Sequence, residues 1–108
     1  MKNFNNLILC DWHSERVEVH VAASLLNDAL TISGQDLGPA VEDSWGDSDY
    51  EYWYRFSRQN TEKLFAVICG DKDPKEALLR EFGGEEGCRK LREICKENGI
   101  EYQFSSYV

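Results

Sequence analysis

The sequence predicts an α+β domain: an antiparallel β-sheet in the order β-β-β-β-α-α-α-β with helices packed on one face. Three observations carry this. Apolar residues alternate with period two through the first half, as in Arg16 to Val21, where Val17, Val19 and Val21 alternate with Arg16, Glu18 and His20. The period changes to 3.6 after Ser57, where three amphipathic segments follow one another. Alternation returns at the end, over Ile100 to Phe104. Runs of strands followed by runs of helices indicate a layered α+β build rather than βαβ units.

Taken in order, Leu7 to Asp11 is a short apolar run with strand character, paired as a hairpin with Arg16 to Val21 across a turn at His13 to Glu15. Asn27-Asp28 marks a second turn, and Ala29 to Ser33 a third strand. Gly34 to Pro39 reads as a loop, with Pro39 opening a short helical turn over Ala40 to Ser44. Trp45 to Ser57 (WGDSDYEYWYRFS) is the most distinctive stretch. Extended, it sends Tyr50, Tyr52, Tyr54 and Phe56 to one face, and Asp47, Asp49, Glu51, Trp53 and Arg55 to the other. The first row is a core row; the second is an acidic face holding a tryptophan.

Three helices are expected next. Asn60 is a candidate cap for the first, with Leu64, Phe65, Val67 and Ile68 as its apolar stripe and Gly70 as its end. Asp73-Pro74-Lys75-Glu76 starts the second, which carries Leu78, Leu79 and Phe82 inward and stops at Gly83-Gly84. The third begins near Glu85, buries Cys88, Leu91, Ile94 and Cys95, and ends at Asn98-Gly99. The last strand then places Ile100, Tyr102 and Phe104 inward, beside the tyrosine row. With 108 residues, no linker and no repeat, residues 1–108 form one compact domain.

Composition narrows function by exclusion. The net charge of −8 lies entirely between Val17 and Tyr54, a zone with eight acids and no Lys or Arg. Such a field disfavours nucleic acid and favours a basic protein partner. The longest apolar run, Leu7 to Cys10, is far too short to span a membrane, and the polar start gives no signal peptide, so a cytoplasmic setting is expected. Four cysteines without a CxxC pair indicate reduced, buried thiols rather than a zinc site.

Catalytic patterns are weak. Asp47-Ser48-Asp49-Tyr50-Glu51 starts like a calcium loop, but Tyr52 and Arg58 stand where Gly and Glu are required. A metal-dependent hydrolase using Asp47, Asp49 and Glu51 is the alternative reading; no cofactor set and no metal set is expected. His13 and His20 read as surface histidines, and Asp11, His13 and Glu15 are too ordinarily spaced to indicate a metal. Trp53 either faces a partner or is covered by Trp45 or the 34–44 segment.

The segments ISGQDLG (Ile32 to Gly38), WGDSDYEYW (Trp45 to Trp53) and the ending CKENGIEYQF resemble a widespread set of small bacterial proteins of no established activity. In size, acidity and build the chain is also similar to immunity proteins of bacterial toxin systems. These likenesses imply a non-catalytic protein-binding module, of the immunity type, directed at a basic toxin. The contact surface expected for it is Asp36, Asp43, Asp47, Asp49, Glu51 and Trp53. Self-association as a homo-oligomer is a further expectation.

Overall fold

Five strands pair between neighbours in the order β1-β2-β3-β4-β5, all antiparallel, in a computed structural model that describes residues 1–46 and 49–108 except the side chains of Ser44 and Trp45. The elements are β1 (Phe4–His13), β2 (Glu18–Leu26), β3 (Ala29–Leu37), α1 (Pro39–Trp45), β4 (Asp49–Arg55), α2 (Arg58–Ile68), α3 (Pro74–Phe82), α4 (Gly87–Asn98) and β5 (Gln103–Tyr107). This is the expected α+β class with an open sheet, and among the described residues no helix is long and apolar enough to cross a membrane.

Register decides which side chains share a face. Ile32 lies opposite Ala23 and Tyr54, and Leu30 opposite Leu25, so one face carries the apolar set. Leu64, Phe65 and Ile68 of α2, Ala77, Leu78 and Phe82 of α3, and Leu91 and Cys95 of α4 pack on that face in one buried cluster. The final strand returns across three helices to pair with β4, Phe104 opposite Tyr54.

Local chemistry corrects several expected boundaries. β3 does not stop at Ser33 but runs through Gly34 to Leu37, where a loop is expected from the sequence. Gly34 lies opposite Tyr52, and a Cβ built on it would sit 2.1 Å from the Tyr52 ring. The glycine therefore makes room for a cross-strand aromatic instead of breaking the strand. β4 covers less of Trp45 to Ser57 than expected, because Trp45 ends α1 and Ser57 caps α2. Ser57 Oγ accepts from the Asn60 backbone N–H at 3.1 Å, which displaces Asn60 from the cap to the third helical position. Asn60 Oδ1 is then free to accept from the Glu101 N–H at 3.1 Å, tying α2 to the entry of β5.

Three predicted core residues are exposed: Val67, Leu79 and Phe104, the last because β5 is the edge strand and leaves its ring only partly covered. Val67 is exposed because α2 buries Thr61, Leu64, Phe65 and Ile68, a stripe that leaves Val67 on the far side. Leu79 is exposed for the same reason on α3, whose buried set is Ala77, Leu78 and Phe82. β5 begins three residues later than expected, at Gln103, while Ile100 and Tyr102 still pack inward as the chain approaches the sheet. Thr61 is a fully buried polar residue whose hydroxyl accepts the Leu30 N–H at 3.0 Å, so it satisfies a backbone donor at the start of β3.

All four cysteines are unbridged, with Cys10 and Cys95 buried and Cys69 and Cys88 half-buried. The asparagine–aspartate turn between β2 and β3 forms as expected, with Asn27 and Asp28 both at positive φ.

Candidate functional site: the uncovered face of the sheet

α2, α3 and α4 pack on one face, and among the described residues none of these three helices lies on the other. Ile8 of β1 lies opposite Ala22 of β2, Ala22 opposite Ser33 of β3, and Ser33 opposite Trp53 of β4. These four form a cross-strand row on the open face. The two central side chains are small, so the outer two stand above them as walls. The result is a shallow cavity of about 350 Å³ lined by strand residues alone.

Asp11 and Glu51 line this cavity, and Glu18 and Asp49 lie one row further along the same face. Asp11 and Glu18 sit at one side, each facing His20: Nδ1 lies 3.0 Å from Asp11 and Nε2 3.4 Å from Glu18. At the other side are Glu51, opposite Gln35, and Asp49, whose Oδ1 accepts from Gln35 Nε2 at 3.1 Å. Arg55 is a cation on this face. Its guanidinium lies 5.3 Å from the Trp53 ring centroid and donates to Ser105 Oγ at 2.7 Å. Trp53 is thus half-buried, with Arg55 against its ring and the cavity beside it.

The residues expected to share one contact surface divide into three groups. Asp49, Glu51 and Trp53 do come together on the open face. Asp43 is exposed on α1, where it pairs with Arg16 of the β1–β2 turn at the end of the sheet. Asp36 does not join the others: it lies opposite Tyr50 and Val19, which puts it on the helix side. Its separation from Glu51 follows from strand alternation once β3 extends through Gly34. Asp47 lies outside the described residues, as does the proposed cover from Trp45. Among the described residues no cluster of three or more His, Cys, Asp or Glu is arranged to hold a metal ion.

Ile8, Ala22, Ser33 and Gln35 are site residues the sequence does not single out. Each looks ordinary alone; only the register brings them into one row. Alternating small residues at facing positions of β2 and β3 were the available signal.

On the helix side, Asp36 is half-buried, and burial pushes its carboxyl above the usual range. The folded state therefore holds that proton to higher pH than the unfolded chain does. The associated stability is complete below the unfolded carboxyl range and is lost as pH rises through the raised folded value. Asp36→Asn removes this pH-dependent penalty. Paired thermal melts will show the variant above the parent at pH 7, the two converging toward about pH 3. A variant that melts below the parent at pH 7 would contradict burial as the dominant influence.

Comparison with protein-family models, with curated proteins and with solved structures gives no match. The functional reading rests on the geometry of this chain.

Proposed function

We propose that this protein is a non-catalytic binding module whose uncovered sheet face docks a basic protein partner. The observation that carries the reading is the cavity on that face, with Ile8, Ala22 and Trp53 as its apolar part, Asp11 and Glu51 in its lining, and Glu18 and Asp49 in the next row. An apolar centre with a mostly acidic margin is the layout of a protein-recognition patch. The rim charges select a cationic surface and raise its rate of encounter, while the centre supplies the area removed from water. Arg55 and His20 temper the field without reversing it, since the zone from Val17 to Tyr54 contributes no Lys or Arg. An inhibitor of a basic toxin, the immunity-type role, fits this chemistry, as does a cytoplasmic setting.

The test uses a Lys/Arg-rich amphipathic peptide as probe, with amide shifts of the labelled protein as readout. Saturable shifts at Ile8, Ala22, Ser33 and Trp53 are expected. Glu51→Gln combined with Asp49→Asn will weaken binding by roughly tenfold, the loss of two rim charges, and flatten its salt dependence. Unchanged affinity in that variant, or shifts confined to the helices, would remove the reading.

A further inference from the structure

The helix side of β4 holds a second, chemically different site. The tyrosine row does not close fully against α4: a cleft of about 230 Å³ remains, lined by Asp36, Tyr52, Tyr54, Cys88, Arg92 and Phe104 among others. Its volume falls below the roughly 300–1,000 Å³ of drug-sized sites, so its occupant is smaller than a drug.

Opposite charges stand at the two ends. Asp36, on β3, lies opposite Tyr50 at one end, and burial pushes its carboxyl up. Arg92, on α4, stands at the Tyr54 end and gives one N–H to the Tyr54 hydroxyl at 2.9 Å. The guanidinium has further N–H groups to offer, in a fork that suits a carboxylate. Cys88 also lines the cleft, and burial pushes its thiol up.

The span separates these charges. Tyr50 and Tyr54 are four positions apart on one strand, about 13 Å at the usual rise; Asp36 lies opposite the first and Arg92 bonds the hydroxyl of the second. The middle of the cleft is aromatic, with Tyr52 and Phe104 stacked at 6.5 Å and 24°. The Tyr52 ring is fixed from behind by Gly34.

We propose that this cleft binds a small linear zwitterion, an ω-amino acid whose ammonium pairs with Asp36, whose carboxylate pairs with Arg92, and whose methylene chain lies along Tyr52 and Phe104. A molecule with one charge pairs with one end only; a molecule carrying opposite charges at its two ends satisfies both. An α-amino acid is too short to reach both.

The experiment is an amide-shift titration of the labelled protein with 6-aminohexanoate, beside hexylamine and hexanoate, which each carry one of the two charges. Saturable shifts at Asp36, Tyr52, Cys88 and Arg92 are expected, with 6-aminohexanoate binding roughly tenfold or more tighter than either control. Asp36→Asn will abolish its advantage over hexanoate, and Arg92→Gln its advantage over hexylamine. Arg92 is largely exposed, so that variant keeps its fold, and the dispersion of its spectrum verifies this. Equal binding of the three probes, or no saturable shift at millimolar probe, overturns the proposal. Shifts on the open sheet face alone would overturn it as well, and leave the docking reading standing.

Discussion

Leu78→Ala will lower the free energy of unfolding by about 2–5 kcal/mol, while Leu79→Ala, one residue on, will change it by about 0.5 kcal/mol or less. The two leucines have the same side chain on the same helix, so burial alone separates them. Leu78 is fully buried on α3, whereas Leu79 is 45% exposed. Truncating Leu78 removes its transfer free energy and leaves a hole between α3 and the cluster it packs in, because neighbours relax only partly. At about 4–8 °C per kcal/mol for a domain near this size, the midpoint falls by roughly 10 °C or more. Thermal melts of both variants decide the matter. Equal losses would mean that α3 is rotated about its axis from the arrangement described.

Gly87→Ala carries the second large effect, and here two terms oppose. Gly87 opens α4, where alanine is favoured over glycine by about 1 kcal/mol. A Cβ at that position, however, would lie 1.8 Å from the carbonyl oxygen of Phe82, a backbone atom at the end of α3. Neither atom can swing aside as a flexible side chain would. Relief requires α3 and α4 to part, and both bury residues in the main core. Overpacking of that kind costs about 1–3 kcal/mol and occasionally more, and the backbone contact places it at the upper end. The clash outweighs the propensity gain, so the variant is less stable by about 2 kcal/mol in denaturant unfolding. A gain in stability would show that the α3–α4 connection yields freely.

Much of this fold is legible before any coordinates, and the reasons are local. Val19, Val21 and the tyrosine row declare themselves by alternation, and Asp73-Pro74 and Asn98-Gly99 mark helix ends with their own chemistry. Gly34 is misread because a glycine that breaks a strand and one that accommodates an aromatic look alike until the partner strand is known. That misreading moves Asp36 to the wrong surface, since the face of a strand residue depends on every residue before it staying in the ladder. Leu79 and Val67 are misplaced because a helix holding more apolar residues than one stripe can bury leaves its rotation undetermined. Of the contact surface, Asp49, Glu51 and Trp53 follow from one strand's own pattern. Ile8, Ala22 and Ser33 come from three different strands, and no pattern within a strand can align them.

The place of β5 has a consequence for how the molecule assembles. Strands β1 to β4 each pair with a neighbour close in sequence, so those ladders close short loops and can zip one after another. The β4–β5 ladder closes around α2, α3 and α4 together, and Tyr54 meets Phe104 and Tyr102 only once those helices are in place. Of the four ladders, this one carries the largest loop-closure cost. Until it closes, β4 is a raw edge, with Tyr52 and Tyr54 uncovered and ready to pair with the wrong chain. Asn60 counters this hazard. By holding the Glu101 N–H it fixes the entry of β5 from a helix adjacent in sequence to β4, so the strand arrives already aimed.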